Sequence, residues 1–136
     1  MGAWGTGVFD NDNACDWAFG LEESDDLSLV EAALDKVLSA GLNYLEAPDS
    51  EEGLAAADVV ARLQGHVGEQ NSYTEPVDTW VAAHRIPVPA TLAHKALAAI
   101  ERILIAPSEL VDLWQEGEEF EAWQQAVHHL KSRIHA

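Results

Sequence analysis

Asp10, Asn11, Asp12 and Asp16 crowd four oxygen-bearing side chains into seven positions, a density that could suit a hard divalent cation such as Mg²⁺ or Ca²⁺. The detailed spacing does not fit that chemistry. A calcium loop of the EF type opened at Asp10 would need a ligand at position 14, a glycine at 15 and a bidentate acid at 21, where the chain has Ala14, Cys15 and Leu21. The simpler expectation is that Asp10 or Asp12 caps the first helix while Asp16 faces water or bonds to the preceding loop. On that reading the chain carries no metal and no cofactor. His84 is the other candidate, because Val77, Trp80, Val81 and His84 fall at i, i+3, i+4 and i+7 and turn the imidazole toward the core. A metal-assisted hydrolase using the N-terminal Asp cluster, Asp10 and Asp12 with or without His84, is therefore the alternative enzymatic reading, and it requires these residues to converge in one pocket.

Other catalytic chemistries find less support. The serines occupy cap or loop contexts, with no Gly-x-Ser-x-Gly elbow, and no His-Glu-x-x-His arrangement suggests zinc. The glycine-rich start lacks both a preceding strand and the lysine of a phosphate loop. Cys15 stands beside Asp16, whose carboxylate would raise the thiol pKa and make it a poor nucleophile.

These residues must be positioned by helices, since every patterned segment repeats with a period near 3.6 and none alternates with period two. A first helix is expected from the Asp10–Asp12 region through Trp17 toward Glu23. The second carries Leu27, Val30, Leu34, Val37 and Leu38 on one face and stops at Gly41. The third starts near Asp49 or Ser50, carries Leu54, Val59, Val60 and Leu63, and is weakened in its first turn by Gly53. Thr74 and Pro76 open a fourth that runs through His84. Ala93, Ala96, Leu97, Ile100, Ile103 and Leu104 form the stripe of a fifth, and Ser108 to Trp114 makes a short sixth. Phe120, Trp123, Val127, Leu130 and Ile134 define the last. The expected fold class is all-α: an irregular bundle of about six or seven helices in one domain over residues 1–136, preceded by a docked Gly/Trp-rich loop in which Trp4 and Phe9 pack on the helical body.

Composition narrows the partner. The 136 residues hold 24 Asp plus Glu against 7 Lys plus Arg, a formal charge of −17 that repels nucleic acid and anionic lipid. Residues 1–68 contain 14 acids and 2 bases, and residues 69–136 contain 10 acids and 5 bases, so an acidic face is expected on the N-terminal half, around Glu22, Glu23, Asp25, Asp26, Glu51 and Glu52. No apolar stretch approaches the ~20 residues of a membrane span. The single cysteine allows no intrachain disulfide, and without a secretory pattern a cytoplasmic location is expected.

The stretch Gly2-Ala-Trp-Gly-x-Gly-x-Phe-Asp-Asn-Asp-x-Ala-x-Asp-Trp17 resembles the opening of a bacterial family of small proteins known as domain of unknown function 4259. It combines aromatic, glycine and acidic positions, with Trp4, Phe9, Asp10, Asn11, Asp12, Asp16 and Trp17 as the candidate motif site. The resemblance implies a bacterial cytoplasmic domain and carries no reaction, cofactor or catalytic residue. The leading functional expectation is a non-catalytic interaction module, immunity- or inhibitor-like, that binds a basic protein through exposed aromatics ringed by acids.

Overall fold

The run Gly53 to Arg62, rich in alanine and valine, offers almost no polar face, and a helix of that composition has to be enclosed by others. In the computed structural model, which describes residues 3–136, it is the middle of the central helix; Met1 and Gly2 of the N-terminal motif lie outside the described residues. Seven helices follow in order: α1 Asp12–Leu21, α2 Ser28–Leu38, α3 Ala47–Leu63, α4 Glu75–His84, α5 Ala90–Ile103, α6 Glu109–Gln115 and α7 Phe120–Arg133. Among the described residues there is no strand, only the isolated bridges Ala3–Asn11 and Leu45–Ser108. Helix α3 packs against all six others, most extensively α2, α5 and α1. Its small side chains let neighbours approach closely. At Gly53 α2 comes close, since a Cβ there would lie 2.5 Å from Val37 Cγ2.

The apolar stripes go inward. Val30, Leu34 and Val37 of α2, Leu54, Val59 and Val60 of α3, Ala96, Ile100 and Ile103 of α5, and Trp123, Val127 and Leu130 of α7 join one core cluster. Burying each such side chain stabilises the fold by roughly 1.5–3 kcal/mol before the entropy of ordering is subtracted.

Two helix starts differ from the sequence expectation, one through a local cap and one through a tertiary contact. Asn11, rather than Asp10 or Asp12, caps α1, its Oδ1 accepting from Ala14 N at 2.8 Å. Asp10 instead turns back on the loop and accepts from Gly7 N at 3.0 Å. Gly5 and Gly7 make room for it, because a Cβ at either would run into the Asp10 carboxylate. Helix α3 begins at Ala47, ahead of Asp49, because Glu109 of α6 accepts the Ala47 N–H at 2.8 Å. Helix α1 ends at Leu21, short of Glu23, as the Glu22 and Glu23 amides turn back onto the Phe19 and Gly20 carbonyls.

Two arginines organise the connections. Arg102 of α5 donates to the carbonyls of Gly41, Asn43, Ile105 and Pro107, binding the α2–α3 connection to the α5–α6 connection. Arg62 of α3 has a side chain only 1% exposed. Its Nε donates to Asp58 at 2.8 Å, Nη1 to Asp78 of α4 at 2.5 Å, and Nη2 to the Glu69 carbonyl at 2.6 Å. Arg133 of α7 closes on the same Asp58 at 3.0 Å and donates to the His66 carbonyl. The Phe9 ring, 3% exposed, lies with its centroid 6.0 Å from the Arg62 guanidinium carbon.

Removing a buried ion-pair partner strands the charges it neutralised. Arg62→Leu should lower the unfolding free energy by about 3–5 kcal/mol, read from urea denaturation, because Asp78 loses its cation and Asp58 keeps only Arg133.

Candidate functional site

Helix α1 is two-faced. Ala14, Trp17, Ala18 and Leu21 enter the core, while Asp12, Cys15, Asp16 and Phe19 recur at i, i+3, i+4 and i+7 on the outer side. Facing that outer stripe are Trp4 from the N-terminal loop and Tyr73 from the α3–α4 connection, their ring centroids 5.1 Å apart and their planes inclined at 47°. Trp4, Phe19 and Tyr73 are 48%, 60% and 44% exposed. Together with Asp12, Cys15, Asp16, Ser72 and Pro76 they line an open recess of about 330 Å³.

Each wall has a local cause. Trp4 is held by its backbone, whose N–H donates to the Asp10 carbonyl at 2.9 Å beside the Ala3–Asn11 bridge. Tyr73 is set by an Asx turn in which Asn71 Oδ1 accepts from the Tyr73 and Thr74 amides at 2.9 and 3.1 Å. Thr74 Oγ1 then donates to Asp78, the carboxylate that also receives Arg62, so the aromatic wall is wired to the buried arginine. Cys15 donates its S–H to the Phe9 carbonyl at 3.2 Å. Burial pushes its thiol pKa up, and Asp12, Asp16 and Asp10 push it further, so the recess lies in a negative field.

The other residues singled out in the sequence are dispersed. Of the two rings expected to pack on the helical body, Phe9 is buried, whereas Trp4 stays half exposed against Tyr73. Trp17 is a core residue. Asp10 lines a different recess, of about 170 Å³, over Asp58, Arg62 and Arg133, whereas Asp12 lines the aromatic one. His84 joins neither wall: it stacks on Trp80 at 4.4 Å, its Nδ1 lies 2.9 Å from the Trp80 carbonyl, and its Nε2 is 3.8 Å from Asp25. Asp10, Asp12 and His84 thus share no pocket, and among the described residues no three His, Cys, Asp or Glu side chains are placed to hold a metal ion together. In the smaller recess the Arg62 nitrogens are engaged by carboxylates and a carbonyl, and Arg133 pairs with Asp58 and donates to the His66 carbonyl.

The expected acidic face is split. Glu22, Glu23, Asp25 and Asp26 are exposed along the α1–α2 connection. Glu51, at 7% exposure, is inside, accepting from Asn13 Nδ2 at 2.9 Å, and Glu52 is half-buried. The surface expectation fails for Glu51 because α1 lies over its turn of α3, a cover that the acids of most helices lack. Phe19 and Tyr73 carry no sequence signal of their own, apart from Phe19's place on an otherwise polar stripe.

The model of the family described as Domain of unknown function (DUF4259) matches residues 2–126. The chain belongs to this family. No curated protein and no solved structure matches it. In this DUF4259 chain the N-terminal segment therefore contributes to both recesses, through Trp4, Asp12, Cys15 and Asp16 on one side and Gly7 to Asp10 on the other. No described helix is long and apolar enough to cross a membrane.

Two titrations follow from this geometry. Desolvation first, and then Glu109 and Asp12, raise the Glu51 pKa above its ordinary 4.5, against the opposing Asn13 hydrogen bond. The fold thus favours protonated Glu51, and this contribution is complete below 4.5 and lost as pH rises through the raised value. As pH rises from 4.5, Glu51→Gln should lose less stability than the parent, measured by urea midpoints at each pH. Cys15 should alkylate with iodoacetamide along a pH profile centred above 9.0, and Asp12→Asn with Asp16→Asn should move that profile down.

Proposed function

We propose that this chain is a non-catalytic protein-interaction module of the bacterial cytoplasm, a single unit over residues 1–136 that binds a basic protein through its N-terminal half. The observation that carries the reading is the company kept by Trp4, Phe19 and Tyr73: three large exposed rings that line one recess with Asp12 and Asp16, next to an α1–α2 connection bearing Glu22, Glu23, Asp25 and Asp26. An aromatic centre with a charged rim is the composition that protein interfaces favour. The formal charge of −17, with 14 of the acids in residues 1–68, supports a cationic partner and disfavours nucleic acid and anionic lipid. Asp10 and Asp12 line different recesses and His84 lines neither, which favours the interaction reading over a metal-assisted hydrolase. One concrete form of such a module is an immunity- or inhibitor-like protein that masks the basic surface of a toxin or a nucleic-acid-binding protein.

The test is affinity capture from the native host followed by kinetics on the identified partner. Neutralising Glu22, Glu23, Asp25 and Asp26 to Gln or Asn should slow association by about tenfold at low salt and flatten its salt dependence, as expected for charge-steered encounter. A variant with the parent's rates at every ionic strength would remove the acidic connection from the recognition surface.

A further inference from the structure

Resting on the interaction reading, we propose that the recess on the outer face of α1 is a receptor for one arginine side chain of the basic partner. Trp4, Phe19 and Tyr73 supply aromatic rings, and Asp12 and Asp16 supply carboxylates to the same recess. The recess, about 330 Å³, is at the small end of ligand-binding cavities and suits one side chain better than a cofactor.

The cation it lacks is not provided by the described chain. Asp12 and Asp16 make no ion pair with any described residue. Lys36, Arg62, Lys95, Lys131 and Arg133 are paired with other acids, and Arg102 is engaged by four carbonyls. Arg85, the last of the seven, lies at the end of α4 and lines a separate recess with Val67 and Pro87. Aromatic rings beside two carboxylates that no described residue pairs with are complementary to an incoming cation. Arginine fits better than lysine, because its flat, weakly hydrated guanidinium stacks on rings while its edge donates a fork of hydrogen bonds to carboxylate.

The probe is a capped Gly-Arg-Gly tripeptide titrated into the ¹⁵N-labelled full chain, followed at the Trp4 indole N–H and the Phe19 and Tyr73 amides. Saturable shifts confined to the recess are expected, with the citrulline tripeptide, isosteric but uncharged, binding at least about tenfold more weakly and the lysine tripeptide falling between. Trp4→Leu, and separately Asp12→Asn with Asp16→Asn, should each weaken the arginine peptide by several-fold; these side chains are exposed, and an unchanged urea midpoint will show that the fold is intact. Equal binding of citrulline, lysine binding as tight as arginine, tighter binding of free spermidine, shifts spread outside the recess, or full affinity in either variant would each overturn the assignment. If the peptide fails while neutralising the α1–α2 acids still weakens the captured partner, the receptor assignment falls and the interaction reading stands. Peptide binding in the recess with a captured partner indifferent to those acids would do the opposite, supporting the receptor and removing the acidic connection from the interface.

Discussion

Arg62 carries a full positive charge to a position almost sealed from water, and the surrounding chain is arranged around the need to neutralise it. An isolated buried cation would cost many kcal/mol, so its nitrogens must find acceptors as the chain folds. They find them on three separate segments: Asp58 one turn back on α3, Asp78 on α4, and the Glu69 carbonyl in the connection between those helices. A planar fork can satisfy three directions at once, which a lysine ammonium on the same stem would do with poorer geometry. Arg133 brings α7 onto the same Asp58, and Phe9 brings the N-terminal segment against the guanidinium. The constraint is therefore one of position: α3, α4, α7 and their connections are placed so that each of the Arg62 nitrogens meets an acceptor.

The outer recess inherits its shape from that hub. Arg62 fixes Asp78, Asp78 receives Thr74, and the Asn71–Thr74 turn aims Tyr73 outward. On the other side, Phe9 enters the core beneath Arg62 while its carbonyl takes the Cys15 thiol, and Asp10 closes the loop that presents Trp4. Two aromatic walls that are distant in sequence thus meet because both are tied to one buried side chain. Side chains held this way have little conformational freedom left to lose on being covered, which is what preorganisation contributes to affinity.

Amphipathic periodicity makes most of the helices readable. The stripes of α2, α5 and α7 are local patterns that any enclosing partner satisfies, so Val30, Leu34, Ile100, Ile103, Trp123 and Val127 can be assigned inward without knowing their neighbours. The cap of α1 is less legible, since Asp10, Asn11 and Asp12 are all competent caps and only the folding of the Gly5–Gly7 loop onto Asp10 leaves Asn11 for the task. Arg62 reads as an ordinary cation near a helix C-terminus; its role depends on Asp78 and Glu69, whose proximity no local pattern encodes. Glu51 misleads for the converse reason, being an acid on a helix that happens to be covered on that side by α1. The candidate recess is half visible: Asp12 and Asp16 lie within the N-terminal motif, whereas Tyr73 reaches it only through a turn anchored from α3.

The claim that the buried guanidinium holds the N-terminal segment and the Tyr73 turn as one unit is tested most directly by amide hydrogen exchange in the parent and in Arg62→Lys, which keeps the charge and removes the fork. The Trp4, Gly7 and Thr74 amides are expected to lose protection together, by a similar factor, while amides in the middle of α5 lose less. Undiminished protection at Trp4 and Gly7 alongside a loosened Thr74 would contradict the claim, showing that the two walls of the recess are held independently.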